Sequence, residues 1–214
     1  MLARNEQAAQ DNRRRFDECG VCCINLLGGP GSGKTTLLEA VIPRLAPLRV
    51  AVVEGDLETT RDAERIAALG VPAVQVLTEG GCHLTAAAVA EALARLDLSS
   101  LDLLIIENVG NPICPANYDL GEHARIAVLS VAEGDDKPAK YPLLFRGASL
   151  VVLTKCDLLP HVRFDARRAV ESLARISPQT KVVRCAALAG EGVAKVRGFL
   201  HAVASAGCPP VPGC

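Results

Sequence analysis

The run from Leu101 to Pro115 places an acid, a glycine and a thiol on one short segment. Glu107 ends an apolar stretch typical of a buried strand, and Gly110 and Cys114 follow it closely. In nucleotide hydrolases, an acid at such a strand end reaches the Mg²⁺ shell, and a nearby glycine N–H group can contact the terminal phosphate. A cysteine on that segment would move as the phosphate came or went. The spacing therefore predicts coupling between nucleotide state and a bound metal.

A phosphate-loop motif lies earlier in the chain, where residues 28–36 read Gly-Gly-Pro-Gly-Ser-Gly-Lys-Thr-Thr. It stands between a strand pattern and a helix pattern, as the motif requires, and an ordinary glycine turn is the weaker alternative. Backbone N–H groups at the helix N-terminus would surround phosphate oxygens. We expect the Lys34 ammonium to reach the β- and γ-phosphates and the Thr35 hydroxyl to bind Mg²⁺. The expected nucleotide contacts in this loop are Gly29, Gly31, Ser32, Gly33, Lys34, Thr35 and Thr36.

Residues 154–157 read Thr-Lys-Cys-Asp after an apolar strand and are similar to the base-reading motif of GTPases. The Asp157 carboxylate can accept hydrogen bonds from guanine N1–H and the 2-amino group, a donor pair that adenine lacks. The Lys155 stem would lie across the base. A Lys/Asp pair at an exposed strand end is the alternative, but the preceding phosphate loop favours guanine reading.

Further acids follow the second predicted strand, where a moving switch segment is expected. Either Asp56 or Asp62 could enter the Mg²⁺ shell or orient the attacking water, with Glu107 as the acidic partner. Asp62 is also well placed to cap a helix, and the two roles are compatible. The expected catalytic residues are Lys34, Asp56 and Glu107, and the expected magnesium ligands are Thr35, Asp56, Asp62 and Glu107.

A second group of candidate ligands consists of Cys82, His83 and Cys114. Two thiolates and an imidazole suit Zn²⁺ or Ni²⁺, and three ligands leave a position for water, a partner or a second copy of the chain. Each of these elements follows a strand on the expected nucleotide side. As a pattern alone the signal is weak, because a loop Cys-His pair and a distant core thiol would look the same.

The other cysteines and histidines have simpler interpretations. Cys22, Cys23 and Cys185 fall in apolar runs and are expected in the core, which also weakens a Cys-x-x-Cys metal site beginning at Cys19. The last two cysteines could bind a metal or pair on oxidation, although an ordinary tail is the simpler reading. These two are Cys208 and Cys214. The remaining histidines, expected at the surface, are His123, His161 and His201.

Composition favours one α/β domain and argues against several functional classes. The chain has 214 residues, of which 50% are hydrophobic, enough for a sizeable core. A net charge of −1 without large charged blocks disfavours nucleic-acid binding, and the absence of tryptophan argues against base-stacking surfaces. With neither a signal sequence nor a membrane span in the pattern, we expect a cytoplasmic protein with reduced thiols.

Apolar strands alternate with helices, which predicts an α/β P-loop NTPase fold with a mostly parallel central sheet and helices on both faces. The predicted strands are Val21–Leu27, Arg49–Glu54, Ala73–Leu77, Leu101–Glu107, Arg125–Val131, Ala148–Leu153 and Lys181–Cys185. The predicted helices are residues 2–18, Lys34–Leu45, Thr60–Leu69, Thr85–Leu96, Phe164–Ile176 and Gly192–Ala204. A charged loop is expected over Glu133–Lys140. We predict an N-terminal helix (1–20), a GTPase domain (21–205) and a flexible Pro/Cys tail (206–214).

Taken together, these motifs resemble the hydrogenase nickel-incorporation GTPases, the HypB-type metallochaperones of the SIMIBI class. The resemblance runs from about Asn25 to about Glu191. It rests on the phosphate loop, Glu54-Gly-Asp56, Asp62-Ala-Glu-Arg-Ile66, Gly81-Cys-His83, Glu107-Asn-Val-Gly-Asn111, Cys114-Pro115, Tyr141-Pro-Leu-Leu-Phe145-Arg146 and the Asp157 motif. Related urease GTPases typically show Cys-Pro-His instead of adjacent Cys-His, which favours the hydrogenase branch.

The resemblance implies slow, regulatory GTP hydrolysis coupled to nickel delivery into the large subunit of a [NiFe]-hydrogenase. It implies a GTP-promoted homodimer, with Cys82, His83 and Cys114 binding Ni²⁺ or Zn²⁺ near the interface, and a nickel-binding accessory protein as partner. It also implies a guanine contact from the backbone of Ala186, although the usual Ser-Ala pair is Cys185-Ala186 here.

The sequence also departs from the family and leaves other functions open. Many members carry a Cys-rich or His-rich nickel site before the phosphate loop, and this sequence shows neither. A nickel role would then depend on the switch-associated site or on the extra cysteines. The alternatives are delivery to urease or another metalloenzyme, an ATP-dependent small-molecule kinase, and a non-catalytic zinc-stabilised adaptor.

Overall fold

The computed structural model describes residues 2–56, 61–78 and 80–206. Its strands are β1 (Cys22–Gly28), β2 (Val50–Asp56), β3 (Ala73–Leu77), β4 (Leu103–Glu107), β5 (Ala124–Ser130), β6 (Leu150–Thr154) and β7 (Lys181–Arg184). Its α-helices are α1 (Leu2–Cys19), α2 (Lys34–Val41), α3 (Arg61–Ala67), α4 (Ala86–Leu93), α5 (Lys137–Lys140), α6 (Pro142–Phe145), α7 (Ala166–Ile176) and α8 (Val193–Ser205). All seven predicted strands are present, because uninterrupted apolar runs of this length suit strands buried on both faces.

The strands form one sheet of order β3-β2-β4-β1-β5-β6-β7, and every neighbouring pair is parallel. Helices cover both faces, so the predicted α/β P-loop NTPase fold is confirmed. In a parallel sheet of this kind, the carboxyl ends of all strands meet at one edge, and ligands bind there. The loops after β1, β2, β3, β4 and β6, which carry the predicted motifs, therefore converge.

Successive side chains of β1 point to opposite faces of the sheet, and the two faces pack against different helices. Ile24 and Leu26 face the cluster that packs against α2 and α8. Cys23 faces the cluster under α1 and α4, and Leu27 faces the cluster under α6 and α7. Between Cys23 and Leu27, Asn25 is fully buried, so a polar side chain separates the two apolar clusters on that face.

The N-terminal helix α1 packs on the sheet as part of the second cluster. Phe16 is completely buried, and the Asn12 side-chain amide donates to the carbonyls of Ala86 at 2.8 Å and Leu120 at 3.0 Å. Among the described residues, no helix combines the length and apolar character needed to cross a bilayer.

Several predicted boundaries differ from the structure. Helix α2 ends at Val41, and the chain tightens into a 3₁₀ turn over Ile42–Arg44, where Pro43 removes a backbone donor. The predicted loop over Glu133–Lys140 contains the short helix α5. Asp62 lies inside the first turn of α3, so its predicted role as the helix cap is wrong. Thr60 and the tail from residue 207 onward lie outside the described residues.

Candidate functional site

The phosphate loop is held in an open curve between β1 and α2. Gly33 has φ of 91°, a left-handed conformation that glycine adopts without strain, and α2 begins at the next residue. The Thr154 hydroxyl donates to the Ser32 carbonyl at 2.5 Å, and Lys155 Nζ donates to the Gly31 carbonyl at 2.8 Å. These contacts attach the phosphate loop to the end of β6, where the base-reading motif begins.

Three predicted residues meet at the start of α2. The Thr35 hydroxyl donates to Glu107 Oε1 at 2.7 Å, so the phosphate loop and the end of β4 are in direct contact. Lys34 is buried, and its Nζ donates to the Gly29 carbonyl at 3.4 Å. Burial lowers the pKa of Lys34, although the nearby Glu107 carboxylate opposes that shift. A buried ammonium with one long contact among the described residues is well prepared to bind phosphate oxygens.

Glu54 belongs to this corner although it was not among the predicted site residues. It is paired in register with Glu107 across β2 and β4, so both carboxylates lie on the same face of the sheet. Burial raises the pKa of Glu54 to about 8, and the adjacent Glu107 adds to that rise. Burial also raises the pKa of Glu107 to about 7. The available signal was that Glu54 and Asp56 are two residues apart and so point to the same face of a strand. It was missed because the strand was predicted to end at Glu54.

The donor chemistry of this corner fits Mg²⁺. Within the described part of the chain, Glu54 Oε2 and Glu107 Oε2 are buried without a hydrogen-bond partner. Oxygen ligands of this kind suit a hard divalent cation, and such a cation would relieve the burial of the two acids. Thr35 lies beside them, as the phosphate-loop motif predicts.

The other two predicted acids are placed differently. Asp56 is the last residue of β2, and its carbonyl accepts a hydrogen bond from the Thr78 N–H group at 3.0 Å. The Asp62 carboxylate pairs with Arg65 at 2.7 Å, and Arg65 pairs with Glu39 of α2 at 2.6 Å. Asp62 is close enough for its charge to raise the pKa of both Lys34 and Glu107. It is therefore near the cation corner but already engaged in an ion pair.

Gly110 lies directly against the phosphate loop. A Cβ atom at this position would stand 3.0 Å from the Pro30 Cα atom and 3.3 Å from its nitrogen. A side chain at this position would therefore force the Pro30 backbone to shift by a few tenths of an ångström. The segment after β4 thus contacts the nucleotide loop at Gly110 before it continues to Cys114.

The predicted guanine contacts gather at the carboxyl end of β6. Lys155 adopts a left-handed backbone conformation with φ of 57°, and Asp157 is exposed in the following turn. Ala186 is buried nearby, but its N–H group donates to the Glu191 carbonyl at 3.0 Å. A guanine oxygen bound at the Ala186 N–H group would have to compete with the Glu191 carbonyl for it. The sequence motif did not reveal this hydrogen bond.

The structure brings Cys82, His83 and Cys114 together from two different loops. Their candidate ligand atoms all lie within 4.8 Å of one another, and all three residues are half-buried. The pKa of the Cys82 thiol is raised, chiefly by its hydrogen bond to Cys114. Burial lowers the pKa of His83, which favours the neutral imidazole that binds metals. Two sulfurs and one imidazole suit Zn²⁺ or Ni²⁺.

Tyr118 completes this arrangement and was not predicted. Its ring stacks on His83 with centroids 3.8 Å apart and an interplanar angle of 25°. It follows directly after the 3₁₀ turn that begins at Cys114. The stacked ring therefore joins the two loops that carry the candidate ligands, a contact between loops distant in sequence that no local pattern reveals.

Among the remaining histidines and cysteines, the placement of His123 is a correction. His123 was expected at the surface but is buried, because its Nδ1 accepts from the Cys23 N–H group at 2.9 Å and its Nε2 contacts the Asp17 carboxylate at 2.8 Å. The expected core positions of Cys22, Cys23 and Cys185 are confirmed.

Comparison with known proteins identifies the family. The family profile described as "CobW/HypB/UreG, nucleotide-binding domain" matches residues 22–184. Over 194 residues, the chain is 50% identical to the hydrogenase maturation factor HypB of Azotobacter vinelandii, an alignment covering 90% of this chain and 64% of that protein. The chain belongs to the HypB family of hydrogenase maturation factors. It spans 64% of the length of that HypB relative.

A solved HypB structure and a second HypB relative extend the comparison. The crystal structure of Helicobacter pylori HypB in complex with nickel superposes with a TM-score of 0.93 at 34% identity, covering 99% of this chain and all of that one. The Helicobacter hepaticus protein named hydrogenase/urease maturation factor HypB is 41% identical, covering 94% of this chain and 84% of its own length. The resemblance recognised in the motifs is confirmed, together with the fold.

Proposed function

We propose that this chain is a GTP-hydrolysing metallochaperone that binds nickel, or zinc, and assists nickel insertion into the large subunit of a [NiFe]-hydrogenase. One observation carries the proposal. A single segment contacts Thr35 through Glu107, lies against the phosphate loop at Gly110, and places Cys114 beside Cys82 and His83. Nucleotide and metal thus act on the same stretch of backbone.

Binding of GTP is supported by the two ends of the nucleotide site. The phosphate loop offers backbone N–H groups and the Lys34 ammonium to the phosphates. Lys155 and Asp157 lie at the end of β6, which is tied to that loop by the Thr154–Ser32 hydrogen bond. Asp157 would accept the guanine donor pair, and adenine would leave it unpaired.

Hydrolysis would use Lys34, Asp56 and Glu107, with Thr35 and the acids holding Mg²⁺. The cation, when bound, screens the negative charge of the phosphates. The Lys34 ammonium holds the phosphate oxygens, and the Glu107 carboxylate orients the Thr35 hydroxyl, from which it accepts a hydrogen bond at 2.7 Å. No side chain is assigned as a general base, so we expect slow turnover suited to a regulatory switch.

Nickel would be held by Cys82, His83 and Cys114. Three ligands leave room for a further ligand from water, a partner or a second chain. Ile113, next to Cys114, is 54% exposed, and Leu77, just before the Cys82 loop, is 48% exposed. Exposed apolar side chains close in sequence to each of the two metal loops favour a GTP-promoted homodimer that meets there.

The partners proposed for this activity are a nickel-binding accessory protein and the hydrogenase large subunit, in the cytoplasm. Urease is a second candidate client, because the Helicobacter hepaticus relative is named as a factor for both enzymes. Reconstitution of each apo-enzyme with the nickel-loaded chain and GTP distinguishes the clients. Activation of urease without activation of the hydrogenase would contradict the hydrogenase assignment.

Nickel titration in the GDP and GTP-analogue states tests the proposal. We expect one tight Ni²⁺ site per chain, a change of about tenfold in affinity between the two states, and dimerisation with the analogue. Cys114→Ala should abolish both the tight site and its nucleotide dependence. Cys19→Ala removes another half-buried free thiol and serves as the control. Equal affinity and equal oligomeric state with both nucleotides would overturn the proposal, and competition by ATP as strong as by GTP would favour a kinase.

A further inference from the structure

A buried polar network lies on the opposite face of the sheet from the phosphate loop. Its centre is Asn108, which directly follows Glu107 and is 1% exposed. Strand alternation sends Glu107 toward Thr35 on the α2 face, whereas Asn108 points to the face covered by α1 and α4. These two adjacent residues therefore contact two different sites: Glu107 contacts the phosphate loop, and Asn108 contacts the loop that follows β3.

Asn108 contacts the loop that carries two of the candidate nickel ligands. Its Oδ1 atom accepts hydrogen bonds from the Leu84 N–H group at 3.4 Å and from the Val109 N–H group at 3.0 Å. Leu84 is fully buried and directly follows His83. Since both donors are backbone amides, they fix the orientation of the Asn108 amide, and its NH₂ group must face the other way.

That NH₂ group continues the network to the second metal loop. It donates to Asn25 Oδ1 at 3.2 Å, and the Asn25 amide donates to Glu122 Oε1 at 3.1 Å. Arg125 Nε donates to the same Glu122 oxygen at 2.5 Å. Although burial opposes ionisation, Arg125 and the Leu120 N–H group hold the pKa of Glu122 below its usual range. The network therefore contains a buried, paired charge, which is costly to displace.

From Arg125 the network reaches the segment that follows Cys114. The Arg125 guanidinium donates to the carbonyls of Ala116 and Tyr118, each at 3.4 Å. Tyr118 stacks on His83, so both metal loops are fixed to this network and to each other. Within this chain of hydrogen bonds, Asn108 directly follows Glu107, which contacts Thr35 of the phosphate loop.

We infer that Asn108 is a positioning residue that transmits nucleotide state to the nickel ligands through the Leu84 amide. Phosphate and cation contacts at Glu107 and Gly110 shift the end of β4. Asn108 moves with that end and displaces the backbone next to His83. The inference rests on the proposed function, and it adds a second connection to the metal site besides the covalent path from Gly110 to Cys114.

The test measures Ni²⁺ affinity of the full chain with GDP and with a non-hydrolysable GTP analogue. We expect the wild-type difference of about tenfold to fall below about twofold in Asn108→Ala, with GDP affinity retained. Asn12→Ala is the control, because it deletes two buried amide hydrogen bonds on the same face of the sheet, and their acceptors, Ala86 and Leu120, both lie outside β4. This control should keep the wild-type ratio of Ni²⁺ affinities in the two nucleotide states, even if its melting temperature falls.

Two further variants secure the interpretation. Asn108→Asp keeps an oxygen acceptor for the Leu84 amide and should retain the nucleotide dependence; a loss equal to that of Asn108→Ala would overturn the Leu84 contact as the connection. If Asn108→Ala does not fold, Asn108→Thr makes the same test. The threonine side chain is too short to place an oxygen where Oδ1 accepts from the Leu84 N–H group, but it keeps a polar group at this buried position.

The outcomes separate this inference from the proposed function. If Asn108→Ala shows the same difference in Ni²⁺ affinity between the two nucleotide states as the wild type, the inference is overturned and the metallochaperone proposal stands. Equal nickel affinity in both nucleotide states of the wild type overturns both. A loss of the difference in Asn12→Ala as large as in Asn108→Ala would show general loosening of the metal loop and would also overturn the inference.

Discussion

The phosphate site and the candidate metal site lie on neighbouring loops, but they are built in different ways. The phosphate site comes from one continuous stretch, residues 28–36, whose shape follows from its glycines and from the start of α2. The metal site is assembled from two separate loops, joined by Tyr118 and by the network around Asn108. A local motif keeps its geometry under many changes elsewhere, whereas an assembled site depends on buried contacts far from its ligands.

The largest effect should come from removing the central charge of the local site. Lys34→Ala deletes the buried ammonium and should slow GTP hydrolysis by at least about 100-fold, the scale for loss of a transition-state donor. Nickel affinity without nucleotide should be unchanged. Single-turnover hydrolysis and nickel titration measure both, with exposed Lys195→Ala as the control. A comparable loss of nickel affinity would mean that the two sites are not separable.

Removing a ligand of the assembled site should give the converse result. His83→Ala should weaken nickel binding by about 100-fold or more, beyond the usual cost of losing an outer partner of a metal ligand. GDP affinity should remain within about twofold, because the direct contacts of His83 lie in the metal loops. Isothermal titration measures both affinities, with His201→Ala as the control. Unchanged nickel affinity would remove His83 from the ligand set.

Gly110→Ala should disturb the contact between the two sites while sparing each one separately. The added methyl group would stand 3.0 Å from the Pro30 Cα atom, and backbone cannot give way cheaply. We expect the roughly tenfold difference in nickel affinity between the two nucleotide states to disappear in this variant. Gly198→Ala, in α8 with open space around it, is the control. A variant with full nucleotide dependence would show that the close approach of Gly110 is not needed.

The smallest effect concerns the pH dependence of stability without nucleotide. Burial raises the pKa of Glu54 from 4.5 to about 8, so between these values the native state binds more protons than the unfolded chain. The free energy of unfolding therefore falls as pH rises through this window. Glu54→Gln should raise the melting temperature at pH 8 by about 2–4 °C, the shift that ~1 kcal/mol gives in a chain of this size. Thermal melts from pH 5 to pH 8, with exposed Glu171→Gln as control, check this, and parallel curves for wild type and Glu54→Gln would contradict it.

The comparison also explains which residues could be predicted. Strand positions and the phosphate loop were predictable because apolar runs and glycine spacing are local signals. Glu54 was missed because its importance comes from register with Glu107, which depends on the order of strands in the sheet. His123 was misplaced because its partners, Cys23 and Asp17, are distant in sequence. Polar residues of this kind look exposed until their buried partners are known.

The sequence by itself determined the seven strands of a mostly parallel sheet, the phosphate loop, the motif at residues 154–157 and the identity of three candidate metal ligands. These follow from hydrophobic periodicity and from residue chemistry that acts over a few positions. Only the tertiary structure decided that the candidate ligand atoms of Cys82, His83 and Cys114 lie within 4.8 Å of one another, and that Asn108 joins their loops to the end of β4. The physical reason is that hydrogen bonds and ligand distances between separate loops depend on strand order and packing, which no local pattern contains.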